Sequence, residues 1–173
     1  MKRYNEGVRR IPPSSYFLVL IAIVFAIVLF PVKFIVAKDM QGNILFCKKI
    51  SEGESIIIEY THSVEKTTVS EYFKAGKDSL ILMEERFSSF GAGLPADKIY
   101  PFKIVGDQYV LYDINKEMKE VTFRTGAVIA NHRIIIDNHI TAFTDFSKPR
   151  QAVTFSIENI RIYKYIMGGV GFE

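Results

Sequence analysis

The chain has 173 residues, of which 22 are basic and 19 acidic, and its formal net charge is +3. The basic excess lies in the first 32 positions, so the rest of the chain is neutral overall. The sequence has no cluster of Lys and Arg with interleaved aromatic residues, which argues against a nucleic-acid-binding protein. The single cysteine, Cys47, excludes an internal disulfide, so the fold must depend on a hydrophobic core.

An apolar segment near the N-terminus predicts a membrane helix. Residues 11–32 carry no charge, and residues 16–30 are uninterrupted apolar. At about 1.5 Å rise per residue, a helix over residues 14–32 would reach roughly 28 Å, close to the thickness of a hydrocarbon core. Four basic residues precede this segment, so the N-terminus is predicted to be cytoplasmic.

Removal of this segment as a secretory signal peptide is the alternative. The only candidate cleavage site, Ile35-Val36-Ala37, lies beyond Pro31 and Lys33 and has a large residue three positions before the cut. An uncleaved anchor in the cell membrane is therefore preferred. This interpretation predicts a cytoplasmic basic tail at residues 1–13, a transmembrane signal anchor at 14–36 and an extracytoplasmic β-domain at 37–173, which we expect to fold from residue 38 onward without the helix.

The remaining chain, about 140 residues, supports one domain and shows the alternation of strands. One example contains Ile56, Ile58 and Tyr60, which would share one face of a strand while the residues between them share the other. Turn-forming residues separate short runs rich in Ile, Val, Phe, Tyr and Thr. The pattern predicts an all-β, mostly antiparallel sandwich or barrel-like domain preceded by one transmembrane helix. We place strands near residues 33–39, 43–49, 54–63, 67–74, 79–87, 99–105, 108–114, 119–124, 127–136 and 152–165.

Two segments depart from this background. Residues 60–71 read Tyr-Thr-His-Ser-Val-Glu-Lys-Thr-Thr-Val-Ser-Glu and crowd polar side chains at the junction of two predicted strands. Residues 87–95 read Phe-Ser-Ser-Phe-Gly-Ala-Gly-Leu-Pro. Gly91 and Gly93 permit positive φ angles, and Pro95 favours an extended conformation of the residue before it.

The Tyr-Thr-His-Ser-Val-Glu strand end and the Gly-Ala-Gly-Leu-Pro loop resemble the shared motifs of a bacterial family, the domain of unknown function 1850. The resemblance extends from about residue 35 to the middle of the chain. It implies a small membrane-anchored or exported protein, and it brings no established reaction. Because genes of this family often neighbour those of TAXI-type tripartite transporters, it also implies a transport-associated role, with transporter subunits or their solute-binding protein as partners.

A serine acyl enzyme is one enzymatic interpretation of the first segment. Ser63 and Lys66 have the Ser-x-x-Lys spacing of such enzymes. That spacing brings two side chains together on a helix, whereas residues three apart on a strand point to opposite faces. The companion motifs of these enzymes are also missing from the sequence, so we disfavour this reading.

A metal site is the second enzymatic interpretation. His62, Glu65 and Glu71 could join His132 or His139 around a divalent ion. No pair among them has a strong metal-ligand spacing, and a hydrogen-bonded structural cluster is preferred. We therefore predict no catalytic residue, no metal site and no cofactor.

Two interpretations of the loop Gly91–Pro95 remain open. It is either a tight connection between strands or a recognition loop close to a polar strand end. Phosphate binding is disfavoured, because the loop has neither a following Lys-Ser/Thr pair nor a strand-loop-helix context.

We predict a membrane-anchored extracytoplasmic accessory or interaction module, associated with a TAXI-type tripartite solute transporter and held in the lipid bilayer by its N-terminal helix. One alternative is an extracytoplasmic hydrolase or metal-dependent enzyme that uses the His62 and Glu65 region, which requires a concave pocket with converging side chains. The other is a structural cell-envelope protein. The predicted contact surface combines His62, Ser63, Glu65, Lys66 and Glu71 with Gly91, Ala92, Gly93, Leu94 and Pro95.

Overall fold

A computed structural model describes residues 13–62, 66–88, 100–126, 130–161 and 163. The elements in chain order are α1 (Pro13–Leu29), β1 (Pro31–Lys38), β2 (Ile44–Lys49), β3 (Ser55–Thr61), β4 (Thr68–Ala75), β5 (Leu80–Phe87), β6 (Phe102–Val105), β7 (Gln108–Leu111), β8 (Lys116–Met118), β9 (Glu120–Arg124), β10 (Arg133–Ile136), β11 (His139–Ala142), α2 (Phe143–Phe146) and β12 (Ala152–Arg161). Apart from Pro13, the predicted basic tail lies outside the described residues.

Helix α1 is shorter than the predicted anchor. It ends at Leu29, because Pro31 disfavours the helical conformation in the residue before it and has no amide hydrogen to continue the helix. Residues 31–36, which we assigned to the anchor, belong to β1, which overlaps the strand that we also placed near residues 33–39. Ile35 and Val36 are fully buried in the domain. In the part of the chain that the structure describes, no helix is both long and apolar enough to cross a membrane.

The strands form two antiparallel sheets. A four-stranded sheet has the order β2-β1-β12-β9, and an eight-stranded sheet has the order β11-β10-β3-β4-β5-β7-β6. The eighth strand, β8, pairs with the first half of β5, whereas β7 pairs with its second half. The predicted all-β, mostly antiparallel class is therefore confirmed, in the form of two open sheets.

One apolar core lies between the two sheets. Ile35 and Phe155 of the four-stranded sheet share a cluster with Ile58 and Ile134 of the eight-stranded sheet, and each is at most 1% exposed. Burying one such side chain stabilises the fold by about 1.5–3 kcal/mol. Of the alternating β3 residues, Ile56 and Ile58 are the ones that point into this core. This side of the eight-stranded sheet is called its inner face.

A second apolar cluster lies farther along the inner face, toward β5 and β7. Its buried members are Val69, Phe87, Leu111 and Ile114, none of which belongs to the four-stranded sheet. Tyr60 packs against both clusters. The two clusters therefore lie on either side of the middle of β4 and β5, where Glu71 and Glu85 are located.

Two short strands and one short helix were not predicted. β8 consists of Lys-Glu-Met and pairs with β5. Because two of its three residues are charged, the sequence lacks the apolar alternation that predicts a strand. β11 begins at His139, which pairs with Ile136, although we assigned His139 to no strand. The intervening Asp137 and Asn138 both have positive φ angles, 52° and 61°, so two residues suffice for the turn between β10 and β11. Helix α2 is a single turn.

Candidate functional site

Several connections meet at one end of the eight-stranded sheet, which we call the loop end. β3 ends there at Thr61, β4 begins there, and β5 ends there at Phe87, because Tyr60 pairs with Val69 and Val69 pairs with Phe87. β10 also begins there, since Arg133 pairs with Glu59 of β3. The described residues next to these strand ends, among them His62, Lys66, Ser88 and His132, therefore adjoin the same end of the sheet.

The connection from β3 to β4 is a tight turn. The backbone N–H of His62 donates to Thr67 O at 2.8 Å, and the N–H of Lys66 donates to His62 O at 2.9 Å. Lys66 has a φ of 54°, outside the right-handed helical region that the Ser-x-x-Lys arrangement requires. Lys66 is exposed and His62 half-buried, whereas Ser63 and Glu65 lie outside the described residues.

Glu71 and Glu85 occupy paired positions of β4 and β5 on the inner face, and we call them the acid pair. Their row across the sheet continues to Ile58 on one side and to Leu111 on the other. Ile58 is 0% and Leu111 6% exposed. Two carboxyl groups therefore stand side by side with an apolar residue on each side of the pair.

A β-bulge brings Glu85 to this position. The pairing of β4 with β5 shifts between Tyr72 and Phe73, so that Met83 is an extra residue on β5. The residues after the bulge change faces, and Glu85 rather than Glu84 points inward. Glu84 lies on the opposite face, where it accepts a hydrogen bond from Arg86 Nε at 2.5 Å.

The environment of the acid pair favours a bound proton. Burial, followed by the negative charge of Glu85, raises the pKa of Glu71 to about 7. A long hydrogen bond of 3.4 Å, donated by the Tyr60 hydroxyl to Glu71 Oε1, lowers this pKa but does not outweigh the other two effects. Burial also raises the pKa of Glu85. At neutral pH the pair can therefore exchange a proton with the solvent or with a bound group.

Tyr60 links the acid pair to His132. Burial, together with the charges of the two glutamates, raises the pKa of Tyr60, so its hydroxyl remains a neutral donor. Its ring stacks on the His132 imidazole with 5.1 Å between centroids. Burial lowers the pKa of His132, whose Nδ1 accepts a 3.3 Å hydrogen bond from the Gly126 N–H.

The described candidates for a metal site, His62, Glu71, His132 and His139, do not form a group that could hold an ion. His132 is part of an aromatic cluster with Tyr60, Phe123 and Phe143, and His139 is exposed on the edge strand β11. Among residues 13–62, 66–88, 100–126 and 130–161, no group of three or more His, Cys, Asp or Glu side chains is placed to hold a metal ion. The metal-site interpretation therefore gains no support from the described histidines.

A cavity of about 450 Å³ lies elsewhere in the molecule, between the β1–β2 turn and α2. Its acidic lining residues already serve local backbone contacts. Asp39 accepts hydrogen bonds from the N–H groups of Gln41 and Asn43, and Asp145 accepts one from Ala142. These aspartates stabilise a turn and a helix start, so we assign this cavity a structural role.

The structure thus places His62, Lys66 and Glu71 at or near the loop end, while Gly91, Ala92, Gly93, Leu94 and Pro95 lie outside the described residues. Nothing in the sequence singles out Glu85, because strict alternation along β5 would turn Glu84 inward. Tyr60 lay within the selected segment, but its contact with Glu71 could be expected only from the pairing of β3 with β4.

The sequence model of the family described as Domain of unknown function (DUF1850) matches residues 56–143. The matched region runs from β3 to β11, and it contains the acid pair, Tyr60, His132 and the connections of the loop end. Comparisons with curated proteins and with solved structures find no match to this chain.

Proposed function

The chain belongs to the DUF1850 family, and on that premise we propose that it is an accessory or interaction module whose contact surface is the loop end of the eight-stranded sheet. The observation that carries the proposal is the convergence of several connections beside a carboxyl pair that has an apolar residue on each side. The surface comprises His62, Ser63, Glu65, Lys66 and Glu71 together with the loop Gly91–Pro95.

The arrangement of strands supports a contact surface at this place. Connections that project from a rigid sheet commonly carry recognition, because the sheet fixes their positions before a partner arrives. The turn from His62 to Thr67 is closed by two backbone hydrogen bonds, and Lys66 presents an exposed charge beside it. A partner with an acidic or hydrogen-bond-accepting face would complement this turn.

The module is proposed to be held at the cell membrane by the N-terminal segment, with the β-domain on the extracytoplasmic side. Helix α1 supports this proposal through its exposed apolar side chains, among them Phe17 at 64% and Leu18 at 66%. An apolar surface of this kind is costly in water and favourable in lipid. The basic residues before the helix favour a cytoplasmic N-terminus.

Cysteine accessibility tests this orientation. In a chain carrying Cys47→Ala, we expect Met40→Cys, at a position that is 83% exposed, to react with a membrane-impermeant maleimide in intact spheroplasts. Asn5→Cys in the basic tail is the matched control and should react only after permeabilisation. Labelling of position 5 and protection of position 40 in intact cells would reverse the topology.

The proposed partner is a subunit or the solute-binding protein of a TAXI-type tripartite transporter. The experiment is purification of the tagged full-length chain from native membranes, followed by detection of these transporter proteins. Lys66→Glu should reduce their recovery, because it reverses the exposed charge of the β3–β4 turn. Lys77→Glu, an equally exposed site in the turn at the other end of β4, should leave recovery unchanged. Equal recovery with both variants would argue against the loop end as the contact surface.

A second candidate function is acid–base catalysis, and the acid pair favours it specifically. A carboxyl group with a pKa of about 7 is matched to proton transfer at neutral pH, and Glu85 offers a second carboxyl next to it. Under this alternative, Glu71→Gln would abolish a hydrolytic activity while leaving recovery of transporter proteins intact. The interaction module predicts no such activity.

A further inference from the structure

Strand β6 forms one edge of the eight-stranded sheet, and its outer side pairs with no described strand. An unpaired strand edge presents N–H and C=O groups that can receive another strand. Proteins usually protect such edges with charged side chains or by covering them. The edges of the two sheets in this protein differ clearly in that protection.

The two edges of the four-stranded sheet are charged, and β6 exposes more large apolar side chains than any of the other three edge strands. The four-stranded sheet ends in β2, which carries Lys48 and Lys49, and in β9, which carries two charged side chains at its ends. β11 is a four-residue strand that leads directly into α2. β6 carries one charge, Lys103, and exposes three apolar side chains: Phe102 at 51%, Ile104 at 63% and Val105 at 53%.

The apolar residues of β6 extend the second apolar cluster as far as the solvent-exposed edge of the sheet. Phe102 pairs with Leu111, and Ile104 pairs with Tyr109, so both side chains lie on the inner face beside that cluster. Another strand placed against β6 would extend this apolar row as well as the backbone ladder. The edge is therefore prepared for pairing through both its backbone and its side chains.

We propose that β6 pairs with β6 of a second copy of this chain, antiparallel and about a twofold axis at Ile104. Directly opposed like charges destabilise a strand pair. Centring the pair on Lys103 would oppose two lysines, whereas centring it on Ile104 sets each Lys103 opposite Val105 of the second copy. The charge pattern of the strand thus excludes the register centred on Lys103 and is compatible with the one centred on Ile104.

The same register accommodates the largest side chain of the strand. Phe102 lies opposite Gly106 of the second copy, where the backbone has a φ of 64° and a Cβ would meet no atom within 4 Å. Phe102 and Ile104 from both copies then share one face. Because the ladder is short, the interface is smaller than the roughly 800 Å² per partner of a standard complex, and the dimer dissociates on dilution. This pairing does not depend on the function proposed for the loop end.

Disulfide trapping of the full-length chain tests the register. In a Cys47→Ala background, Ile104→Cys places two thiols directly opposite each other, within the distance that a disulfide spans. Mild oxidation should yield a covalent dimer. Val105→Cys is the register control, since its two copies lie on a diagonal at about 7–8 Å and should cross-link several-fold less. Ile140→Cys on β11 is the edge control, because Ile140 is 55% exposed and lies at the other edge of the same sheet.

Sedimentation of the full-length chain provides an independent measurement. Ile104→Lys would place two lysines directly opposite each other in the dimer, so it should raise the dimer dissociation constant about tenfold or more. Ile140→Lys should not change this constant. Both sites are exposed, so both variants should keep the thermal midpoint of the parent chain. Three results would overturn the proposal: a monomer at every concentration, equal cross-linking at positions 104 and 140, or a different protein as the main product trapped by Ile104→Cys.

Discussion

Glu71 and Glu85 face each other from paired positions of β4 and β5, between the buried side chains of Ile58 and Leu111. Two ionised carboxylates at this place would repel each other in surroundings that solvate charge poorly. Retention of one proton by the pair relieves this repulsion. The folded state therefore binds a proton near neutral pH that the unfolded chain has already released.

The first prediction concerns the pH dependence of stability. The pKa of Glu71 is raised from 4.5 to about 7 in the folded state, so between these values the folded state binds more protons than the unfolded state. The free energy of unfolding must then fall as pH rises from about 4.5 to about 7, by about 3 kcal/mol from this group. Glu71→Gln should remove most of this decrease and stabilise the protein at pH 8, as measured by urea unfolding across the pH range.

Glu84→Gln is the matched control for this prediction. Glu84 is the neighbour of Glu85 in the chain, but it lies on the outer face and accepts a hydrogen bond from Arg86. Its substitution leaves both members of the acid pair in place, so the decrease assigned to Glu71 should persist. If Glu71→Gln and Glu84→Gln give the same pH profile, the acid pair is not the origin of the slope.

The second prediction concerns the effect of the Tyr60 hydroxyl on the pKa of Glu71. This group donates a hydrogen bond to Glu71 and thereby lowers the pKa of the carboxyl. Tyr60→Phe keeps the ring that stacks on His132 but removes the donor. The pKa of Glu71 should rise, by less than about 1 pKa unit because the bond is long. Titration of the Glu71 carboxyl carbon by NMR measures the change, and a downward shift would contradict the assigned donor.

The third prediction revises where the β-domain begins. A chain starting at residue 38, which we expected to fold, lacks Phe34, Ile35 and Val36, all at most 2% exposed. Their burial contributes roughly 5–9 kcal/mol together, comparable with the whole stability of a domain, about 5–15 kcal/mol. We expect residues 38–173 to be unfolded and residues 30–173 to give the β-rich circular dichroism spectrum. Folding of the shorter chain would show that β1 is dispensable.

The fourth prediction tests the predicted contact residues that lie outside the described part of the chain. Glu65→Gln removes a charge with little change of size and should weaken recovery of transporter proteins while keeping the thermal midpoint. Gly93→Val adds a β-branched side chain, which penalises any positive φ, and should reduce both recovery and stability. A large loss of stability in Glu65→Gln would instead indicate a structural cluster. Intact recovery with loss of hydrolysis or metal uptake would favour the enzyme.

The fold class could be predicted from the sequence, because the alternation of side chains in β3 and turn residues such as Gly42 and Gly53 directly reflect local backbone preferences. Both glycines adopt a φ of 83°, Gly42 in the turn between β1 and β2 and Gly53 in the turn between β2 and β3. The end of α1 was less accessible, since the apolar residues after Pro31 suit a lipid-facing helix and a buried strand equally well. Hydrophobicity alone does not separate these environments, and the pairing of β1 with β2 and β12 decides between them.

The candidate site was accessible only in part. His62, Lys66 and Glu71 stand out as polar residues near a strand junction, so a sequence pattern can find them. Glu85 cannot be found in this way, because a single bulge after Leu82 reverses the faces of all later residues in β5. The position of a bulge depends on pairing with both neighbouring strands, which is information that no local pattern contains.

A single residue, Phe30, separates the end of α1 from the start of β1. One residue spans at most about 3.6 Å, so the β-domain has almost no reach away from the helix. If α1 is embedded in the bilayer as we propose, no flexible linker allows the domain to move away from the membrane toward distant molecules. Any partner must come to the membrane surface itself, and encounters would then follow lateral diffusion in the plane of the bilayer.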